Sequence, residues 1–320
     1  MKAHIAELKA GHVEEAARVA SRRFAALRAR VPHLPAAYEE PALLFERIAR
    51  LVERGVGVAA FDGARMVGAL AGYSIGAFGG RPTTMSPEWA NGLDAPAEPG
   101  LLEAMYAEVA PTWLRRGSET HAVCVLAHDT AALETWAAMG FGRIVCDAVR
   151  SLAPIPDGEG AVGVRRGEPG DAERILPLSA ALADHLAAPP IYVIDREDED
   201  RLAWEETLHD PSMAVWLALR RGSVVGYLRQ GPATRTACGI IVDEKTTSIT
   251  GAYVSPAARG EGIATALLAQ AIRWGRDQGY VRCSVDFETA NAAAARFWLS
   301  HFEPVVVSLA RTHDPRAVAP

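Results

Sequence analysis

The sequence predicts a mixed α/β fold that the chain builds twice. The first observation behind this prediction is an internal repeat, in which four residues recur at one offset of 162 positions. The four pairs are Gly100 and Gly262, Gly117 and Gly279, Ala132 and Ala294, and Trp136 and Trp298. The second observation is that strand-like and helix-like stretches follow one another in the same order in both halves. A duplicated α/β domain accounts for both.

The two halves meet at the stretch "SLAPIPDGEG" (151–160), whose Pro and Gly residues are typical of a linker. We therefore predict one domain over 1–150 and a second over 161–320, each within the usual range of roughly 100 to 200 residues. Closer to the start of each half the offset drifts to about 158, as differences in loop length would cause. It pairs the segment that begins at Gly11 with the segment that begins at Gly170.

Each half opens with a short strand and an amphipathic helix, over 4–8 and 12–27 in the first half and 161–165 and 171–186 in the second. A second helical stretch follows at 41–53 and at 199–208. The acidic run "DREDED" (195–200) predicts the start of the latter helix, with Asp195 as its cap. Two strands around a tight turn come next, and the turns are Asp62-Gly63 and Arg221-Gly222.

The remainder of each half reads as strand, long helix, buried strand, short helix and final strand. The long helices should end at Gly117 and Gly279, the position of a C-terminal glycine cap. In the second half the strand 248–254 leads into the helix 263–278, in which apolar residues recur at helical spacing. The short helices surround Trp136 and Trp298.

Composition narrows the possible partners and the compartment. The chain has 33 basic and 39 acidic side chains and a net charge of −6, with no basic stripe that would indicate a nucleic-acid partner. Charged residues interrupt the apolar runs of the first segment, and no run reaches the roughly 18 apolar residues of a membrane span. Four separated cysteines without a C-x-x-C pair predict neither disulfides nor a metal site. We expect a cytoplasmic protein that binds no membrane and is a monomer or a homodimer.

The junction Arg259-Gly260-Glu261-Gly262 carries the strongest functional signal. It lies between a predicted strand and a predicted helix, where glycines let the backbone approach a ligand and the helix N-terminus offers free amide donors. Both features suit a pyrophosphate, and Arg259 could add charge-assisted hydrogen bonds. Taken alone, this short pattern is as compatible with a simple turn at the start of a helix.

The sequence around the junction resembles the GNAT family of acyl-CoA-dependent N-acyltransferases. Arg259, Gly262 and Ala264 match that family's loop pattern Q/R-x-x-G-x-G/A. The downstream family segment is matched by Asn291, Ala294, Phe297 and Trp298, with Phe302 closing it. These motifs cover about 60 residues of the second half, and the resemblance of the first half rests on the repeat.

The resemblance implies two tandem GNAT-like domains, each a mostly antiparallel sheet with a splayed central strand pair flanked by helices. It also implies acetyl-CoA as co-substrate, with the backbone of Tyr253 and Val254 pairing with the pantetheine arm. The Val254 amide would point at the thioester oxygen. The pyrophosphate would lie on the amides of Gly260, Glu261, Gly262, Ile263, Ala264 and Thr265. Asn291, Ala294, Phe297 and Trp298 would flank the distal pantetheine.

The first half has lost the features that suit a pyrophosphate. At the repeat offset, Ala97-Glu98-Pro99-Gly100 replaces the junction, so the cation is absent and a carboxylate lies where phosphates would bind. Pro99 also removes an amide donor. We infer that the first domain does not bind acyl-CoA as the second does, unless a displaced loop compensates.

The catalytic residues are less clear than the acyl-CoA loop. Relatives often use a tyrosine on the last helix as the acid for the departing thiolate, but that position is Trp298 here, which cannot serve. Tyr253 or Cys238 could substitute. Asp286 and Glu288, on the polar face of the strand 281–287 and its continuation, are the candidate bases, and His209 is a weaker one.

Two functions therefore stay open. The first is acyl transfer, acetyl above all, from CoA to a primary amine by direct attack in a ternary complex, with a small-molecule or peptide acceptor that the sequence does not identify. The alternative is a non-catalytic protein that binds acyl-CoA or regulates through it, which Trp298 and the unassigned base favour. Neither function needs a metal.

Overall fold

The computed structural model describes residues 3–94, 98–156, 163–194, 200–233 and 238–318. By its internal contacts the chain divides into two units. The first comprises Met1–Cys146 and Pro304–Pro320, and the second comprises Asp147–Glu303. The final segment of the chain therefore belongs to the first unit, which differs from the predicted domain 161–320.

In the described residues the α-helices and strands follow one another in the order that the sequence predicts. The helices are α1 (Val13–Arg28), α2 (Pro41–Arg54), α3 (Leu101–Arg115), α4 (Thr130–Ala138), α5 (Ala172–Ala187), α6 (Arg201–His209), α7 (Ile263–Asp277) and α8 (Ala292–Leu299). The strands are β1 (His4–Glu7), β2 (Val56–Asp62), β3 (Arg65–Phe78), β4 (Arg81–Ser86), β5 (Asn91–Leu93), β6 (Thr120–Leu126), β7 (Gly142–Ser151), β8 (Gly163–Arg166), β9 (Ala214–Arg220), β10 (Ser223–Pro232), β11 (Thr246–Val254), β12 (Arg282–Glu288) and β13 (Glu303–Thr312).

In the first unit the strand order is β1-β2-β3-β4-β6-β13, with β5 on the side of β3. The neighbours pair antiparallel except for β4 and β6, which are parallel. The last strand of the chain, β13, pairs with β6 from Val306 opposite Leu126 to Thr312 opposite Thr120. A strand from the end of the sequence thus completes the sheet of the first unit.

In the second unit the strand order is β12-β11-β10-β9-β8, and β7, which belongs to this unit from Asp147 onward, is the neighbour of β12. Here too the pairs are antiparallel except for one, β11 with β12. The mostly antiparallel mixed sheet predicted for each half is confirmed.

The strands β11 and β12 diverge part-way along their length. They pair from Thr246 opposite Arg282 to Ile249 opposite Val285, and the pairing then stops. A bulge at Thr250 shifts the register of β11 against β10 at the same point, so β11 bends away from β12. Beyond Ile249, the edge of β11 that faces β12 has no strand partner among the described residues. The predicted splay of the central strand pair is confirmed in this unit.

Most of the local signals read from the sequence are confirmed. Gly117 and Gly279 follow α3 and α7 with φ of 87° and 82°, the left-handed conformation that ends a helix. The hairpin turns lie at Gly63 and at Arg221-Gly222, all with positive φ. The predicted cap Asp195 lies outside the described residues, and α6 is instead capped by Asp200, whose Oδ1 accepts from the Ala203 amide at 2.9 Å.

The apolar stripe of α7 forms the core side of that helix. Ile263, Leu267, Leu268 and Ile272 are all at most 2% exposed, so the helix is held on the sheet by burial of one face. Anchored in this way, the first turn of α7 has a fixed position at the end of β11. Within the described residues no helix has the length and apolar character needed to cross a membrane.

Candidate functional site

The second unit contains a cavity of about 410 Å³ at the diverging end of β11. Its walls come from the last two turns of α5, the middle of β10, the end of β11, the loop before α7, the first turn of α7, and α8. All but one of the residues that the resemblance assigns to acyl-CoA line it. Those residues are Tyr253, Val254, Arg259, Gly260, Gly262, Ile263, Ala264, Thr265, Asn291, Ala294, Phe297 and Trp298.

Arg259 is held against the end of β11. Its Nε donates to the carbonyl oxygen of Val254 at 3.0 Å, and its guanidinium lies 5.5 Å from the centre of the Tyr253 ring. A cation over an aromatic face gains about 0.5–1 kcal/mol at an exposed site, so the side chain has a preferred place. The positive charge is therefore fixed beside the cavity.

The first turn of α7 supplies backbone donors to the same cavity. Gly262 is the N-cap, with φ 74° and ψ 4°, and offers no side-chain cap. The first helical hydrogen bond runs from the Ala266 amide to the Gly262 carbonyl, which leaves the amides of Ile263, Ala264 and Thr265 without a partner in the helix. Such free amides at the positive end of a helix dipole suit an anion.

Glu261, in contrast, does not line the cavity. Its carboxylate Oε1 accepts from Arg220 Nη1 at 2.8 Å, so the side chain is turned toward β9. This ion pair removes a negative charge from the path of an anionic ligand. The prediction for Glu261 concerned its backbone amide, to which the ion pair makes no difference.

The short helix α8 forms the far wall. Asn291 caps it, with Oδ1 accepting from the Ala294 amide at 3.2 Å. The indole of Trp298 is only 7% exposed and packs edge-on against Phe297 and Phe302. The residue at the position of the expected tyrosine is thus a packed wall that brings no proton donor suited to a thiolate.

The two candidate carboxylates lie away from this cavity. Asp286 and Glu288 are on one face of β12, opposite the buried Val285 and Phe287, as alternation predicts. They belong to the stretch of β12 that no longer pairs with β11, and neither lines the cavity. The surrounding protein raises the pKa of both carboxyl groups by desolvation, although Asp286 still reaches solvent, and Asp286 raises the pKa of Glu288 further by repulsion.

Of the other candidate catalytic residues, one lines the cavity and two do not. Tyr253 lines it and is 8% exposed, in a core cluster with Ile175, Leu178 and Tyr227. Cys238 lies before a short turn and does not line it. His209 ends α6, where its Nδ1 donates to the Glu205 carbonyl at 2.7 Å.

The structure adds one ionisable residue that the sequence reading missed. His185, in the last turn of α5, lines the cavity together with Leu182. No motif surrounds it, so only the position of α5 over the end of β11 reveals it. A signal was available in the helical spacing, because 175, 178, 182 and 185 fall on one face of α5.

The first unit repeats the junction with a different interior. Gly100 caps α3 in the same left-handed conformation as Gly262, with φ 81°, and Asp129 caps α4 as Asn291 caps α8. A larger cavity of about 670 Å³ lies there, and its walls include Asp94, Glu98 and Asp129. The carboxylates oppose a polyanionic ligand at this place.

In the first unit β5 does not pair with β6, and the side chains of Asn91 and Arg23 fill the space between these strands, which we call the strand gap. Asn91 of β5 donates from Nδ2 to the Cys124 carbonyl of β6 at 2.8 Å and so bridges the gap between β5 and β6. Arg23 of α1 is 8% exposed, donates to the Asn91 carbonyl, and lies 3.3 Å from Asp129. Gly92 lies beside it with φ 116°, and a Cβ there would overlap the guanidinium unless the arginine moved.

The helices α1 and α5 correspond residue by residue at an offset of 159, since α1 starts at Val13 and ends at Arg28 and α5 starts at Ala172 and ends at Ala187. Arg23 therefore corresponds to Leu182, and Ala26 to His185. The arginine that fills the first unit is an apolar side chain in the second, where the gap stays open.

Comparison with known proteins agrees with this geometry. Residues 180–302 match the family model described as the acetyltransferase (GNAT) family. The chain carries a GNAT domain. A search of curated proteins finds no match to this sequence. No cluster of three metal-ligating side chains occurs in the described part of the chain.

Two solved structures show a similar fold over 97% of this chain. A GCN5-related N-acetyltransferase from Sphaerobacter thermophilus matches with a TM-score of 0.55 and 16% identity, over 97% of this chain and 95% of that one. The glucosamine N-acetyltransferase region of a fungal multi-domain β-N-acetylglucosaminidase matches with a TM-score of 0.52 and 10% identity, over 97% of this chain and 38% of that one. A tandem GNAT protein from the clavulanic acid biosynthesis pathway matches at a TM-score of 0.47 and 14% identity, over 100% and 99% of the two chains.

Proposed function

We propose that the protein is an acyl-CoA-dependent N-acyltransferase, which transfers an acetyl group from acetyl-CoA to a primary amine by direct attack in a ternary complex. The observation that carries the proposal is the cavity of the second unit. It joins an unpaired strand edge, a helix start with free amides and the Arg259 cation in one place. The compartment proposed for it is the cytoplasm, whose reducing conditions suit the four free thiols.

Each part of acetyl-CoA has a chemically matched wall. The amide groups of the pantetheine arm suit the unpaired edge of β11 at Tyr253 and Val254, because a strand edge binds an extended chain of amides through backbone hydrogen bonds. The pyrophosphate suits the amides of Gly262 to Thr265 and the Arg259 guanidinium. Phe297 and Trp298 offer an apolar wall to the distal arm. The first unit is proposed to bind no acyl-CoA, because Arg23 and Asn91 occupy its gap.

Trp298 cannot serve as a general acid, but the free energies available from positioning and from oxyanion stabilisation still favour catalysis. Holding the amine and the thioester together is worth roughly 7–11 kcal/mol, and one well-placed donor to the oxyanion contributes about 3–4 kcal/mol. A general acid adds about 10²- to 10⁴-fold, and a thiolate is a tolerable leaving group without it. The missing tyrosine therefore lowers the expected rate and does not remove the reaction.

Trp298 does favour one competing function, a protein that binds acyl-CoA without turning it over. The two are separated by measuring thiol release from acetyl-CoA in the presence of a panel of primary amines that includes amino sugars, polyamines and peptides. The proposal predicts release that depends on the amine and saturates with it. Binding of acetyl-CoA without any amine-dependent release would instead establish the binding protein.

A further inference from the structure

The reaction needs a proton acceptor, because the nitrogen becomes positively charged as it attacks the thioester. Four ionisable side chains line the cavity of the second unit among the described residues: His185, Tyr227, Tyr253 and Arg259. A phenol and a guanidinium both hold their protons at neutral pH. An imidazole is the side chain whose ordinary protonation change lies near neutrality, so it alone can accept a proton there.

The position of His185 follows from the packing of α5. Ile175 and Leu178 are 0% and 8% exposed and fix one face of the helix on β10 and β11, in a cluster with Tyr227 and Tyr253. Leu182 and His185 continue that face for two more turns and reach the cavity. His185 is partly buried, whereas its neighbour Asp184 is exposed.

The imidazole is available for this role. It makes no hydrogen bond with any other residue of the described chain, so neither ring nitrogen is committed. The groups that share its cavity are Tyr227 from β10, Tyr253 from β11 and Arg259 from the loop before α7. Asp286 and Glu288 of β12 do not line it, so no carboxylate competes for the proton within this cavity.

The internal repeat provides a comparison within the same molecule. The counterpart of His185 in the first unit is Ala26, which lines that unit's cavity at the equivalent place on α1. The unit whose strand gap is filled thus has no proton acceptor at this position, and the unit whose gap is open has one.

We propose that His185 is the general base of acyl transfer, an inference that rests on the proposed function. The nitrogen lone pair of the amine attacks the thioester carbonyl carbon, and a C–N bond forms. The proton that the nitrogen sheds goes to the His185 imidazole. The C–S bond then breaks with its electron pair leaving on sulfur, and the imidazolium returns the proton to the thiolate or to water, so that amine and thioester become amide and thiol.

The test compares His185→Gln with His4→Gln, a matched substitution of an exposed histidine on β1, outside the cavity. Amine-dependent thiol release is measured from pH 6 to 10 with the best amine of the panel, together with the Kd for acetyl-CoA. His185→Gln should lower kcat/KM for the amine by about 10²- to 10⁴-fold at pH 7, and the deficit should close as the amine loses its proton unaided at high pH. His4→Gln should match the wild type throughout.

A second variant distinguishes proton transfer from a structural effect. His185→Ala gives α5 the side chain that α1 has at its equivalent position, and added imidazole should restore part of its activity, whereas it should leave the activity of His4→Gln unchanged. The base role is overturned if the wild type is active and His185→Gln follows it across the pH range, or if the loss is independent of pH and imidazole. A wild-type chain without amine-dependent release overturns the proposed function, and the base role with it.

Discussion

Arg23 and Leu182 occupy equivalent positions in the two units and explain why one strand gap is filled and the other open. Arg23 is buried, and desolvation lowers the pKa of its guanidinium even though Asp129 works in the opposite direction. A buried cation of this kind persists only when it is hydrogen-bonded and paired, here to Asn91 and Asp129. The Arg23 side chain therefore occupies the strand gap of the first unit permanently.

Leu182→Arg should therefore close the second unit's cavity. The longer side chain would reach the diverging end of β11, as Arg23 reaches β5, and would weaken acetyl-CoA binding by at least about tenfold, or 1.4 kcal/mol. Calorimetric titration measures the effect, and Leu182→Met, which keeps an apolar side chain of similar volume, is the control. An unchanged Kd for Leu182→Arg would contradict the equivalence of the two positions.

The sequence located most residues that line the second unit's cavity because they depend on local geometry. Arg259, Gly262 and Asn291 lie at a strand end, a helix start and a helix cap, all of which can be read from neighbouring residues. His185 and Arg23 could not be found in this way. Each is one residue on an amphipathic helix, and its role depends on which strand end that helix covers.

The helix α8 depends on the Asn291 cap, just as α4 depends on Asp129. Asn291→Ala should cost about 1 kcal/mol of unfolding free energy, the usual value of a lost N-cap hydrogen bond. Asn291→Asp, the first unit's residue, should retain that stability because aspartate caps as well and suits the helix dipole. Urea denaturation measures both, and equal losses in the two variants would show that the cap is not what holds α8.

The positions of the strands in the sequence were easier to predict than which strands pair with each other. Alternation and turn residues located β11, β12 and both hairpins, because these signals are local. The pairing of β13 with β6 joins residues about 180 positions apart, and nothing in either strand's composition specifies its partner. The carboxylates on β12 illustrate the same limit, since alternation gave their shared face correctly but not the divergence that takes them away from the cavity.

The stability of the molecule should fall in acid because of a buried polar cluster in the first unit. The Tyr106 hydroxyl lies 2.8 Å from both His121 Nδ1 and His313 Nε2. Burial lowers the pKa of His121 to about 3, with His313 and Arg311 adding repulsion, and burial also lowers the pKa of His313. Both histidines are therefore neutral in the folded chain at pH values where the unfolded chain protonates them.

The sign of the effect follows from proton linkage. Between the ordinary histidine value near 6.5 and about 3, the unfolded state binds more protons, so stability decreases as the pH falls through this window. His121 alone should cost about 2 kcal/mol at pH 5. Denaturation at pH 7, 6 and 5 measures the slope, which His121→Gln should flatten; an equally steep slope in that variant would place the acid sensitivity elsewhere.

We propose that one chain binds one acetyl-CoA, at the second unit's glycine junction. Gly262 and Gly100 have the same left-handed conformation at the start of α7 and α3, so an alanine at either should cause a similar strain of about 1–2 kcal/mol. The measurement is calorimetric titration of acetyl-CoA into the wild type, Gly262→Ala and Gly100→Ala. We expect one site per chain, with binding weakened in Gly262→Ala and unchanged in Gly100→Ala. Two sites, no site, or a loss confined to Gly100→Ala would contradict it.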